Sequence, residues 1–244
     1  MIKNETIKSR TENKLYIELS NGNKKLKGND RVSFLIWNLP AVVTCPHRTA
    51  LCEKYCYAKK AENQYPECTP CRKRHFEMSR RADFVARMIY TIQVELDRPK
   101  NKTRKVVFRI HESGDFYNAR YLEKWIDVFS YFGFRSSKKI VFCFYTKCFE
   151  YLLNLDGERR ETFSELTRRG VVSCSLSLDK SSNPEQVARA MKVKKLFPAV
   201  NIYFAIPVNE IETIAHDDTC DCADCAKCGK CVHANGKTIA CAIH

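Results

Sequence analysis

Five short runs rich in β-branched and aromatic residues, each followed by a stretch with helical spacing, leave this chain few architectures to adopt. The runs are Val32–Trp37, Val106–Ile110, Ile140–Tyr145, Val171–Leu178 and Val200–Ile206. Near-continuous apolar strands of this kind sit in sheets covered on both faces, and helices between successive strands make those strands parallel. The helices read from their periodicity. Phe84, Val85, Met88, Ile89, Ile92 and Leu96 recur at intervals of three and four, and Pro99 closes the stretch. Leu122, Trp125, Ile126 and Phe129 mark one face of a helix from Tyr121 to Phe132. Further helical stretches lie around Tyr151, over Phe163 to Arg168 with Gly170 as the stop, and from Pro184 to Lys192. A weaker strand is expected at Leu15–Leu19. The pattern predicts an α/β fold, a parallel sheet with covering helices.

Length and composition set the frame around that sheet. A chain of 244 residues with 44% apolar content suits one large domain with a small appendage. Residues 1–30 are polar, 31–207 hold the α/β body and a cysteine-rich loop, and 208–244 form a cysteine-rich tail that needs a metal to organise it. No run approaches eighteen apolar residues and the N-terminus has no apolar stretch of signal type, so no membrane partner and a cytoplasmic address are expected.

In a reducing compartment, 14 cysteines are better read as metal ligands or redox groups than as disulfides. Cys45, Cys52 and Cys56 form a C-x6-C-x3-C loop directly after the first strong strand. It offers three thiolates and no obvious fourth, which suits an Fe–S cluster with one iron open to a ligand; Cys68 and Cys71 would instead close the site or form a zinc knuckle. Cys225, Cys228 and Cys231 repeat the C-x2-C-x2-C run of bacterial ferredoxins, with Cys220, Cys222 or Cys241 able to complete four ligands. Zinc is the alternative at both places, in the tail with His216 or His233. Cys143 and Cys174 read as small core residues, and Cys148 as part of a surface helix.

Polar clusters follow the carboxyl end of every strand, where parallel sheets collect ligands. After the second strand come His111, Glu112, Ser113, Gly114 and Asp115; after the third, Lys147. Asp115 and Glu112 are suited to an ammonium group, a ribose hydroxyl or a cation, and Gly114 to close approach of a ligand. The competing reading is a turn in which Asp115 caps the next helix. Arg109 and Lys147 are the expected substrate contacts. A formal charge of +14 favours an anionic partner, with nucleic acid the commonest class, although the basic residues are dispersed and no recognised binding motif accompanies them.

Several of these residues together resemble a known family. Thr44-Cys45-Pro46 through Cys52, Cys56, Tyr57 and Ala58, then Arg109 to Phe116, then Tyr145-Thr146-Lys147, then the terminal cysteine run with His244, are similar to the phage and mobile-element family called gene product 88. At one remove the layout resembles the radical SAM enzymes. That resemblance implies a partial (β/α) barrel over 31–207, with a [4Fe–4S] cluster on Cys45, Cys52 and Cys56. It further implies S-adenosylmethionine held near Tyr57, His111, Glu112, Ser113, Gly114 and Asp115. The tail, through Cys225, Cys228, Cys231, Cys222 and Cys241, would carry an auxiliary cluster, and an electron donor would be a partner. The loop spacing departs from the radical SAM pattern of C-x3-C-x2-C, and Ser-Gly-Asp stands where Gly-Gly-Glu is usual. Two other readings remain: a zinc-stabilised nucleic-acid-binding protein without catalysis, and a non-catalytic Fe–S electron-transfer or sensor protein.

Overall fold

The computed structural model describes residues 15–20, 24–136, 140–207, 215–220, 224–232 and 236–243. Its centre is a seven-stranded sheet in which every paired neighbour is parallel. The strands are β1 (Val32–Trp37), β2 (Lys105–Ile110), β3 (Ile140–Thr146), β4 (Val172–Asp179), β5 (Asn201–Pro207), β6 (Asp218–Cys220) and β7 (Thr238–Ile243), in the spatial order β1-β2-β3-β4-β5-β7-β6. The first five follow chain order. Parallel pairing sets all their carboxyl ends on one rim, where polar residues follow β1 to β4.

Between β1 and β2 run α1 (Ala50–Lys54), α2 (Tyr57–Gln64), α3 (Cys68–Arg80), α4 (Phe84–Asp97) and α5 (Pro99–Lys102). Then α6 (Ala119–Ser130) precedes β3, α7 (Phe149–Leu153) and α8 (Gly157–Arg168) precede β4, and α9 (Pro184–Leu196) precedes β5. A short α10 (Cys225–Cys228) lies between β6 and β7. Local chemistry fixes several ends. Asn183 and Gln186 form a reciprocal capping box at α9 with Pro184 in its first turn, and Asn118 caps α6 by accepting from Tyr121 N at 2.8 Å. Gly170, at φ +69°, ends the turn after α8.

One sheet face carries the main core. Trp37, Phe108, Phe142, Phe144, Leu176 and Leu178 pack there against Phe84, Met88 and Ile92 of α4, Trp125 and Phe129 of α6, and Phe163 and Leu166 of α8. The opposite face has a small apolar patch of Val107 and Cys143, covered by Val232 from the 3-10 turn Lys230–Val232. The tail residues therefore do more than hang from the sheet: β6 and β7 extend it, and Val232 seals its second face. No helix among the described residues is long and apolar enough to cross a membrane.

Two expectations need correcting, and one competing reading is set aside. Leu15–Leu19 is not a strand: Ile17 is buried in the main core, and its N–H donates to Thr91 Oγ1 of α4 at 2.8 Å instead of to a strand. The apolar alternation of that segment serves helix packing. Cys148 is fully buried and not on a surface helix, with Sγ 3.0 Å from the Phe116 carbonyl. Asp115 does not cap α6, because Asn118 does.

Candidate functional site

The cysteine loop opens with a strained residue. Val42 lies at φ +66°, a conformation that β-branched side chains resist, and its carbonyl accepts from Cys45 N at 3.1 Å. Across the rim, His111 is the other described non-glycine residue at positive φ, at +60°. Backbone strain of this kind, on the order of 1–3 kcal/mol per residue, persists where surrounding structure enforces it. Here both outliers flank the same pair of loops.

Those loops are laced together. Leu39 N donates to Ser113 O at 2.9 Å, Ser113 N to Asn38 Oδ1 at 3.0 Å, and Ser113 Oγ to Leu39 O at 2.8 Å. Asp115 N reaches Thr44 O at 3.2 Å, and the Tyr57 hydroxyl donates to the Glu112 carbonyl. A Cβ on Gly114 would lie 2.6 Å from Thr44 Oγ1 and 2.7 Å from Leu39 Cβ, so only glycine permits this approach.

Asp115 is buried, and its carboxylate accepts from Thr146 Oγ1 (2.8 Å), Phe116 N (2.7 Å) and Lys147 N (2.9 Å). Burial raises its pKa against the lowering effect of those bonds. It pins the turn after β2 to the end of β3. Lys147 in turn places Nζ 2.8 Å from Asp179 Oδ2 and 3.1 Å from Ser177 O. This ion pair is enclosed, its side chains 8% and 2% exposed. Thr49 Oγ1 donates to the same Asp179 oxygen at 2.5 Å while accepting from Cys52 N at 3.1 Å as the cap of α1. The chain Lys147–Asp179–Thr49–Cys52 therefore ties the cysteine loop to the ends of β3 and β4.

The three thiols share one electrostatic neighbourhood. Burial, then the charge of Asp115, pushes the Cys45 thiol up to about 12, with Cys52 and Cys56 adding to the effect. Burial also raises Cys52, opposed by Lys147. Cys56 caps α2 with Sγ 3.4 Å from Lys59 N. Among the described residues, however, no three of His, Cys, Asp and Glu stand close enough to hold a metal ion. The donor set has the soft-thiolate chemistry of an Fe–S or zinc site, but its sulfurs are neighbours without a common point of coordination. Raised thiols must also lose protons to ligate. Zinc uptake by the metal-free protein, followed by chelator competition between about pH 6.5 and 8.5, should strengthen roughly tenfold per unit for each proton expelled. A flat profile would remove these thiols as ligands.

On the sheet face shared with Cys143, Arg109 stacks its guanidinium 4.0 Å from the Tyr145 ring centroid, and Tyr145 meets Tyr203 edge-on at 4.6 Å. His111 turns elsewhere. Burial, then Arg109, pushes it down to about 3, so it is neutral; Nε2 is 3.0 Å from the Tyr121 hydroxyl, and Nδ1 has no partner among the described residues. Glu112 is half-buried, 3.4 Å from Asn38 Nδ2.

The predicted tail ligands are described in part. Cys225 and Cys228 occupy α10, and Cys241 of β7 is in register with Cys220 of β6. Cys222, His233 and His244 lie outside the described residues, and only the backbone of Cys231 is described. Cys68 and Cys71 lie in the first turn of α3, with Cys71 Sγ 3.7 Å from His75 Nε2.

Comparison with known proteins adds relatives but no fold. The chain is 32% identical to the Gene 88 protein of Mycobacterium phage D29 over 88 residues, 35% of this chain and 37% of that protein. It is 28% identical to the Gene 88 protein of Mycobacterium phage L5 over 127 residues, 50% of each. The alignments thus span half or less of the length of these curated relatives. No solved structure matches. A family model described as Gene product 88 matches residues 8–234, a stretch that includes the strained cysteine loop, the glycine turn that locks onto it, the Lys147–Asp179 tether and most of the tail. By that match over nearly its whole length, the chain belongs to the gene product 88 family.

Proposed function

We propose that this protein is an iron–sulfur protein that binds a [4Fe–4S] cluster through Cys45, Cys52 and Cys56 and acts as a radical SAM-like enzyme. The observation that carries the reading is the convergence of the Cys45 loop, the Asp115 turn and the Lys147–Asp179 pair on one rim of a parallel sheet. The chain-order arrangement of β1 to β5 supports a partial (β/α) barrel, whose carboxyl rim is the usual place for chemistry. Loading requires the loop to draw its three sulfurs together, and Cys52, exposed on the short α1, is the one with room to move. When bound, such a cluster supplies an open iron and a single electron for reductive cleavage of S-adenosylmethionine. The protein's own part is positional. Thr49 and Asp179 hold Cys52, Asp115 and Gly114 hold the facing turn against Thr44, and Glu112 and Tyr57 present polar groups beside it. A second cluster on Cys225, Cys228, Cys231 and either Cys222 or Cys241 belongs to the same reading, as does an electron-donor partner.

Anaerobic reconstitution of the full chain should give a brown protein containing iron and acid-labile sulfide in equal amounts. Cys52→Ala should lose about half of that iron if the tail also holds a cluster, and nearly all of it otherwise. Reduction in the presence of S-adenosylmethionine should then release 5′-deoxyadenosine. A colourless protein that takes up zinc alone would overturn the proposal in favour of a zinc-stabilised, non-catalytic one. A brown protein that leaves S-adenosylmethionine intact would reduce it to an electron carrier or sensor.

A further inference from the structure

Beside the turn that carries Asp115, a cavity of about 260 Å³ opens between the end of α3 and the start of α6. Three cations line it: Arg80, Arg120 and Lys124. Arg80 and Arg120 are exposed, and Arg80 lies over the Phe76 ring at 5.7 Å. Lys124 is anchored, with Nζ donating to the Ser79 and Arg81 carbonyls at 2.8 Å each. Tyr117 forms the wall behind them, its hydroxyl 2.9 Å from Ser79 Oγ and its ring stacked on Tyr121 at 4.6 Å.

No carboxylate lines this cavity. Asp83, the nearby acid that Lys124 does feel, is already clamped by Arg81 (2.8 and 3.1 Å) and Arg87 (2.7 Å). Arg120 depresses the pKa of Lys124, after burial, which places the two like charges within electrostatic reach. An anion entering the cavity relieves the repulsion between Arg120 and Lys124, and phosphate oxygens match the N–H donors of the arginines that line it. A planar guanidinium over an aromatic ring is also held ready, with less freedom to lose on binding.

We propose that this cavity binds a phosphate group of a nucleotide or nucleic acid, with Arg80 and Arg120 as the principal contacts and Lys124 as a fixed charge. The site is independent of whether the cysteine loop holds iron. It also gives the dispersed positive charge of the chain one place where it is organised.

The test uses the full-length protein and a labelled single-stranded oligonucleotide, read by fluorescence anisotropy at several salt concentrations, with ATP and inorganic phosphate as competitors. Arg80→Ala and Arg120→Ala should each weaken binding about tenfold and lower the salt slope by about one. Lys192→Ala, at an exposed position on α9, should change affinity less than about twofold. Both arginines are exposed, so thermal melts should match the parent. If ATP and phosphate compete while longer oligonucleotides bind no better, the site stands and its ligand is a free nucleotide. If the parent binds none of the three probes, or if Lys192→Ala loses as much as Arg120→Ala, the proposal fails. Iron content of the same variants should be unchanged, which separates this result from that of the cluster assay.

Discussion

Lys147→Met should destabilise the protein by about 3–5 kcal/mol, the range for removing one partner of an enclosed ion pair. Asp179, its side chain 2% exposed, is left with Thr49 Oγ1 and Ser181 N as its side-chain donors among the described residues. Methionine fills much of the lysine volume, so the loss reports the uncompensated charge and not a cavity. In a domain of this size each kcal/mol is roughly 2–4 °C of melting temperature, and the midpoint should fall by roughly 10 °C. Adding Asp179→Asn removes the charge while keeping an acceptor for Thr49. The double variant should therefore recover most of the loss, with a coupling energy of about 2 kcal/mol or more. Strict additivity of the two changes in urea denaturation would show that the pair does not hold the rim together. Because Thr49 links Asp179 to Cys52, Lys147→Met should also lower metal occupancy if the loop binds metal as proposed, and the double variant should restore part of it.

The sheet was readable where each strand announces itself. Val32–Trp37 is an apolar run broken only by Ser33, it stops at Asn38 and Pro40, and β1 has the same ends. The other four long strands lie within a residue or two of their expected limits for the same reason. β6 and β7 were not legible. Thr238–Ile243 carries alanine and cysteine where a strand usually shows bulk, and its partners, β5 and β6, are brought to it by the fold. A sequence reading weighs local pattern, so a strand stabilised by distant pairing goes unread in a cysteine-rich tail. The error at Leu15–Leu19 is the converse: alternation was real, but the buried side chain, Ile17, faces helix α4.

For the site, the signal lay in residues near one another in sequence. Cys45, Cys52 and Cys56 share a loop, and His111 to Asp115 share a turn, so their juxtaposition needed only the parallel sheet. Thr49 and Asp179 are 130 positions apart, and nothing local marks either as half of a tether. Asp179 had one clue, a carboxylate ending a strand of small and apolar residues with no other charge, which is costly without a cation nearby. The competing reading of Asp115 as a helix cap is set aside because Asn118, three residues on, is better placed to accept from the first turn of α6. Sequence offers several caps within one turn of each other, and packing chooses among them.

Gly114 provides the sharpest check on the rim, because geometry dictates the sign and place of the effect. At φ +88° an alanine there is strained by about 1–2 kcal/mol whatever its surroundings. Its methyl would also sit 2.6 Å from Thr44 Oγ1 and 2.7 Å from Leu39 Cβ, and overpacking of that kind adds about 1–3 kcal/mol. Gly114→Ala should thus lose roughly 2–5 kcal/mol in chemical denaturation. Gly157→Ala is its counterpart, since nothing lies within 4 Å of a Cβ at the start of α8, and it should gain about 0.4–1 kcal/mol through a less flexible unfolded chain. The clash at Gly114 can be relieved only by moving Leu39 or Thr44, and Thr44 is bonded through its hydroxyl to Pro40 O at 2.7 Å and precedes Cys45. Relief therefore presses on the first thiol of the loop, and if that loop binds metal as proposed, Gly114→Ala should lose metal as well as stability, whereas Gly157→Ala should keep both. Equal stability of the two variants would mean that the turn after β2 does not press on the cysteine loop, and that the rim described here is held by other contacts.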